Sequence, residues 1–246
     1  MYADYDLPFS VEKEGISVSM EKSEKLWIYK RTFGVGNVEI QISGDEKHII
    51  INPVEPLNTP QKITPNLMIE FEKSFLLAGG TIKTIFLTFP IEIGVFISDK
   101  GNKNPHLLDV FTQTRQKFTL YGSVSNGIIC KHWGSAVYST SPSSDSIQEG
   151  VIELTLKNIT TDWVSISKAI FNAYGMKLYY DAGVFMKAHM DILSKNTAET
   201  SFDLHHIGEG VKSFYLENPN TRKEAIEVYN RKLAIVPLKF EMRWGL

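Results

Sequence analysis

The chain has 246 residues, of which 43% are hydrophobic, so it can bury one large core or two smaller ones without disulfides. Its 26 basic and 28 acidic residues give a formal charge of -2, which excludes a general attraction to nucleic acid or to an anionic membrane. The single cysteine excludes internal disulfides and cysteine-rich zinc sites. We therefore expect a cytoplasmic protein with no nucleic-acid partner.

The first twenty residues lack the basic start and the apolar run of a signal peptide. No segment approaches the ~18 uncharged apolar residues that a transmembrane helix requires. These two observations favour a soluble protein without a transmembrane segment.

The first distinctive element is "LWIYKRTFG" (26–34), which has the alternation of a strand. Trp27, Tyr29, Arg31 and Phe33 share one face of this strand. Three aromatic rings beside a cation could form a platform for a carbohydrate or another small ligand. Because three aromatics at period two also suit a sandwich core, a core or domain interface is the favoured interpretation.

The next hundred residues contain short alternating runs that are rich in Ile, Val, Phe and Thr. The runs predicted as strands are 38–43, 48–52, 66–72, 81–89 and 91–98. Gly79-Gly80 predicts a tight hairpin turn between two strands, and Pro90 marks a strand end or an edge position. The polar connection "SDKGNKNPHLLD" (98–109) then predicts a boundary between two β-sandwich-like domains, 1–112 and 113–246.

The only cysteine lies in "GIICKHWGSAVYST" (127–140), two residues before a histidine. On a strand, Cys130 and His132 share a face but stand about 7 Å apart, which is too far for a thiolate and its base. Neither a helix N-terminus nor clustered cations are present to lower the thiol pKa. The pattern therefore predicts a buried packing cysteine.

A polar face with potential metal ligands follows in "GVFMKAHMDIL" (183–193) and "SFDLHHI" (201–207). An antiparallel hairpin centred on Thr197 would place His189 opposite His205, and Asp191 opposite Asp203. Four such side chains could bind a divalent cation, and a metal-bound water could serve a hydrolase. A solvated sheet face with another register is the alternative, because the loop does not dictate a unique turn.

The C-terminal region contains one ambiguous stretch and one clear strand. In 220–236, Thr221 and Glu224 fit a helix capping box, whereas Ile226 and Val228 alternate with polar residues, and we favour the strand. "LKFEMRW" (238–244) predicts the last strand. Runs of this kind along the whole chain predict an all-β protein with an antiparallel β-sandwich architecture.

The order "NPVEPLNTPQKITPNLMIEFE", "LTFPIEIGVFI", "LYGSVSNGIICKHWGSAVY" and "VIELTLKNITTDWVSISKAIF" resembles a family of archaeal proteins that is catalogued only as a domain of unknown function. The resemblance covers most of the chain, but its motifs are turns and strands. It implies an archaeal source and carries no activity, cofactor or site residues.

No catalytic or cofactor-binding motif is recognisable in the sequence. A dinucleotide fingerprint, a phosphate loop, a Gly-x-Ser-x-Gly elbow and a paired-histidine protease motif are all missing. The first hypothesis is thus a non-catalytic structural or protein-interaction module that binds a protein partner or itself. The alternatives are a divalent-metal protein or hydrolase using the His/Asp face, and ligand binding on the aromatic strand.

Overall fold

A computed structural model describes residues 1–34, 36–44, 47–59, 63–99, 105–203, 212–213 and 238–241. These residues form strands and a single short 3-10 helix, Ala173–Gly175, so the all-β prediction is confirmed. No helix in the described part of the chain is long and apolar enough to cross a membrane.

The strands are numbered in chain order. Those before residue 100 are β1 (Ala3–Asp6), β2 (Phe9–Lys13), β3 (Ile16–Ser23), β4 (Leu26–Phe33), β5 (Gly36–Ser43), β6 (Lys47–Val54), β7 (Asn66–Leu77), β8 (Ile82–Pro90) and β9 (Glu92–Asp99). Those that follow are β10 (His106–Phe111), β11 (Phe118–Tyr121), β12 (Ile128–Ser135), β13 (Glu149–Asn158), β14 (Val164–Asn172), β15 (Tyr179–Tyr180), β16 (Val184–Ser194), β17 (Thr197–Phe202), β18 (Lys212–Ser213) and β19 (Leu238–Glu241).

These strands form four sheets, which we name A to D. Sheet A has the order β1-β6-β9-β10, and sheet B has the order β2-β3-β4-β5. Sheet C has the order β11-β12-β7-β14. Sheet D has the order β18-β15-β16-β13-β8, with β17 between β16 and β19. Most neighbours are antiparallel, but β12 with β7 and β13 with β16 are parallel pairs.

The described residues group into two compact units. The first contains Met1–Asn52 and Ile93–Val110, and the second contains Pro53–Glu92 together with the other described residues after Val110. This division differs from a contiguous split after residue 112. The chain crosses between the units near residue 110, and the segment Pro53–Glu92 groups with the C-terminal residues because its strands pair with theirs.

The first unit has a core between sheets A and B. On β3, Ile16, Val18 and Met20 are fully buried, and the serines between them are only partly buried. Ile49 and Ile51 on β6 are also fully buried. Burial of alternate residues is what a sheet with one face toward a core requires.

The second unit has a core between sheets C and D. Phe171 of β14 stacks on Phe202 of β17, with ring centroids 5.4 Å apart. A second contact between sheets C and D is a hydrogen bond of 3.0 Å, in which the indole nitrogen of Trp133 on β12 donates to Thr88 Oγ1 on β8. These contacts join side chains of the two sheets, so the multi-sheet sandwich predicted from the sequence is confirmed.

The connection between β7 and β8 crosses from sheet C to sheet D at Gly79-Gly80. Gly80 has a φ of +68°, which L side chains rarely adopt. A Cβ on Gly79 would collide with the Thr161 carbonyl group. Both glycines are therefore required, one by conformation and the other by close packing. The turn is present, but the predicted hairpin is wrong, because β7 and β8 belong to different sheets.

Other sequence predictions are met in part. The five strands predicted between residues 38 and 98 are all present as β5 to β9. The final strand is described as β19, whereas the stretch 220–236 lies outside the described residues.

Candidate functional site

The polar face predicted on β16 is present. Its five apolar residues, Val184, Met186, Ala188, Met190 and Ile192, are buried, while the residues between them are partly exposed. His189 and Asp191 thus lie together on the outer face of sheet D. The alternation of the sequence was sufficient to place them there.

The register of the β16–β17 hairpin differs from the predicted one. His189 lies opposite Ser201, and Asp191 lies opposite Glu199. The predicted opposition of Asp191 and Asp203 is therefore wrong, and so is a hairpin centred on Thr197. The physical reason is a shorter turn: Ser194 Oγ accepts from the Asn196 amide at 3.2 Å, and β17 begins at Thr197 itself.

Two of the four proposed ligands, which were not predicted to face each other, approach one another in the observed register. His189 Nε2 lies 3.8 Å from Asp203 Oδ2, and the Asp203 amide donates to the Lys187 carbonyl at 3.0 Å. Asp191 lies beside Lys157 on the neighbouring strand β13. His205 lies outside the described residues. Within the residues that are described, no three His, Cys, Asp or Glu side chains form a group suited to a metal ion.

The aromatic face of β4 is largely buried. Trp27 is 8% exposed and Tyr29 is fully buried, whereas Arg31 and Phe33 are partly buried. The Tyr29 hydroxyl donates to Asp109 Oδ2 at 2.8 Å, and Arg31 Nε donates to the same oxygen at 2.6 Å. The structure thus places the first two rings in the core of the first unit, where no soluble ligand can stack on them.

Cys130 and His132 lie on one face of β12, as predicted, but do not form a reactive pair. The thiol is fully buried, and burial raises its pKa from 9.0 to about 12. Met68, Tyr121 and Ile170 surround it. His132 instead contacts Glu70 of β7, with Nε2 and Oε2 2.8 Å apart. Cys130 is therefore a packing residue, because a thiol protonated at neutral pH is a poor nucleophile.

A surface that sequence reasoning missed lies at one end of the second unit. Four large apolar side chains there are more than half exposed: Leu76 (60%), Ile82 (61%), Ile159 (53%) and Trp163 (64%). We call these four residues the apolar tip. They flank two connections that cross between sheets C and D, the turn 78–81 and the turn 159–163.

The apolar tip consists of two pairs. Leu77 pairs with Val164 in the core, so the alternation directs Leu76 and the neighbouring Trp163 to the opposite face. Ile82 lies opposite Lys157 on the outer face of sheet D, and Ile159 lies two residues beyond that lysine. The signal for this surface was the presence of Ile159 and Trp163 within the otherwise polar turn "NITTDW".

The side chain of Asn158 joins the two connections through hydrogen bonds. Its side-chain amide donates to the carbonyls of Leu77 (3.2 Å), Ala78 (3.1 Å) and Asp162 (2.9 Å). Its Oδ1 accepts from the amide and the hydroxyl of Thr160, at 3.0 Å and 2.8 Å. Since Asn158 is only 1% exposed, these bonds are shielded from water. The apolar tip is therefore presented on a rigid base.

The comparisons with known proteins give a family without an activity. No curated protein and no solved structure matches the chain. A family profile matches residues 1–233, which confirms the resemblance to a domain of unknown function. The chain thus belongs to the family described as "Protein of unknown function (DUF432)".

Proposed function

We propose that this chain is a non-catalytic β-sandwich protein that acts as a structural or protein-interaction module, and that the apolar tip is its contact surface. The observation that carries this proposal is that four exposed large apolar side chains flank the two connections that Asn158 joins, one pair on the outer face of sheet C and the other on the outer face of sheet D. Isolated exposed apolar residues are ordinary on protein surfaces, whereas a group of them marks a binding surface.

The chemistry of the apolar tip suits a protein partner. Tryptophan is the residue most enriched among those that dominate binding energies, and aliphatic residues beside it exclude water. Lys157 and the Lys195–Asp162 ion pair of 3.1 Å provide a polar rim. Because Asn158 already orders the connections, a partner would lose little affinity to their immobilisation.

Site-specific photo-crosslinking in the cells of origin tests this proposal. A photoreactive residue at Thr161, an exposed position between Ile159 and Trp163, should yield one discrete protein adduct. The adduct should disappear in Trp163→Ser and persist in Val124→Ser, which removes an equally apolar side chain that is 95% exposed elsewhere. An adduct that survives Trp163→Ser, or no adduct at all, would contradict the proposal.

A divalent-metal protein is the second candidate function, and the 3.8 Å approach of His189 and Asp203 is the observation that favours it. Asp191 on the same face and His205 are the other two proposed ligands. A metal-bound water at such a site would allow hydrolysis. Native mass spectrometry should then find one divalent ion per chain that is lost in the His189→Ala, His205→Ala double variant. A bare mass for both proteins would eliminate this candidate.

Two further expectations belong to the same proposal. The free Cys130 thiol supports a cytoplasmic location, because reducing compartments preserve unpaired cysteines. An archaeal source rests on the resemblance alone. Fractionation of the source cells checks the location, since recovery of the chain outside the cytoplasm would exclude it.

A further inference from the structure

Strand β11 is an edge strand of sheet C as far as the described residues show. In the described part of the chain, β12 is the only strand that pairs with it. The His132 amide donates to the Lys117 carbonyl at 2.8 Å, so residue 117 directs its backbone groups toward β12. In an antiparallel pair, alternate residues direct these groups to opposite sides. The N–H and C=O groups of Phe118 and Leu120 therefore point away from the sheet.

The same two residues carry exposed apolar side chains. Phe118 is 38% exposed and Leu120 is 44% exposed, and Ile129, which lies opposite Leu120 on β12, is 51% exposed. Natural edge strands are usually protected from other chains by charged residues, proline or bulges. The four residues "FTLY" of β11 contain none of these.

Another edge strand of the same unit, β8, is covered in part by a neighbouring segment of the chain. Strand β8 ends sheet D, and its Phe86 exchanges two backbone hydrogen bonds of 2.9 Å with Tyr138. This bridge occupies the outward groups of Phe86. For β11, by contrast, the described residues contain no backbone partner other than β12.

We propose that β11 pairs in antiparallel fashion with β11 of a second copy of this chain. A two-fold axis at Thr119 would place Phe118 opposite Leu120 of the second copy. It would likewise place Leu120 opposite Phe118 of the second copy. Both residues direct their backbone groups outward, so this register forms four hydrogen bonds between the chains. The same register forms two cross-strand pairs of an aromatic and an aliphatic side chain on one face of the sheet. Pairs of this kind stabilise a sheet.

The pattern of side chains favours a second copy over an unrelated strand. The order apolar, polar, apolar in Phe118, Thr119 and Leu120 is symmetric about Thr119, so a two-fold axis there places apolar side chains opposite apolar side chains, as a self-complementary interface needs. Lys117 would lie opposite the aromatic ring of Tyr121 of the second copy and not opposite another cation. The two-fold axis thus brings no like charges into opposition.

Sedimentation equilibrium of the full chain tests this inference independently of the apolar tip. The wild type should form a dimer, and Leu120→Lys should weaken it by ~10-fold or more, because the new charge would be buried at the interface. Trp163→Lys is the matched control, since it adds the same charge to the tip. A monomeric wild type, or a dimer lost in Trp163→Lys but kept in Leu120→Lys, would overturn the proposal.

Disulfide trapping tests the register without depending on a destabilising charge. Thr119→Cys is made together with Cys130→Ala, because Thr119 lies opposite Cys130 within the chain. Mild oxidation should convert this variant to a covalent dimer, since the proposed axis brings the two thiols within bonding range. Val124→Cys in the same background is the control, being more exposed but off the axis. Equal dimer yields from the two variants would exclude the proposed register.

Discussion

Lys131 and Glu92 form a 2.9 Å ion pair in which the lysine side chain is 5% exposed and the glutamate side chain is fully buried. The carboxylate also accepts from the amides of Asn58 (2.8 Å) and Thr59 (3.1 Å), and the ammonium donates to the Thr59 carbonyl at 3.0 Å. Burial lowers the pKa of Lys131, and the negative charge of Glu92 opposes that shift. The pair thereby fixes the backbone around Thr59 to strands β9 and β12.

The first prediction concerns this ion pair. Lys131→Met should lower the free energy of unfolding by about 3–5 kcal/mol, because it leaves the Glu92 carboxylate buried without its cation. The Lys131→Met, Glu92→Gln double variant should lose less than the sum of the two single variants. Urea denaturation measures all three, with the exposed Lys157→Met as control. Additive losses would show that the two side chains are not coupled.

The second prediction concerns the pH dependence of stability. The pKa of Cys130 is 9.0 when exposed and about 12 when buried, so between these values the unfolded chain releases a proton that the folded chain retains. The folded state is favoured fully below pH 9, and this contribution is lost as the pH rises toward 12. Denaturation midpoints of the wild type should fall more steeply over that window than those of Cys130→Ala.

Thiol labelling provides the corresponding kinetic measurement. Cys130 is the only cysteine, so labelling of the native chain at pH 8 reports its accessibility alone. We expect reaction only when the chain opens, at a rate that rises with added denaturant. Rapid stoichiometric labelling in the absence of denaturant would contradict the buried position.

The third prediction concerns Asn158. Asn158→Asp keeps the shape of the side chain but replaces the amide by a carboxylate, which would face the carbonyls of Leu77, Ala78 and Asp162. Since the site is buried, we expect a loss of about 3 kcal/mol or more. Thermal unfolding measures it, and Asn196→Asp in the exposed β16–β17 turn is the matched control. A similar, small loss for both would show that Asn158 does not hold the two connections.

Local alternation explains which parts of the structure were predictable from the sequence. The side-chain period of a strand is two, so one buried face is sufficient to place His189, Asp191 and Cys130 on their correct faces. The pairing of strands is a different matter. The hydrogen bond of Ser194 Oγ tightened the β16–β17 turn and shifted the register, although the alternation of both strands was unchanged.

Contacts between distant residues were not predictable from these patterns. Glu92 precedes Lys131 by 39 positions, and neither residue carries a local signal of burial. Grouping Pro53–Glu92 with the C-terminal strands likewise depends on pairs such as Lys131 with Leu67. The apolar tip required knowledge of which turns meet at one end of the second unit. Long-range pairing therefore determines the candidate surface, and composition does not.

The fourth prediction concerns the aromatic face of β4, where Asp109 Oδ2 accepts from both Tyr29 and Arg31. Tyr29→Phe should lower the free energy of unfolding by about 1 kcal/mol, because it removes one hydrogen bond and keeps the packed ring. Asp109→Ala should cost more, because it removes the acceptor of both donors. Chemical denaturation measures both, and the exposed Asp6→Ala is the control. If this face were instead a ligand platform, Tyr29→Phe would leave stability unchanged, since an open ring and its hydroxyl make no buried contacts.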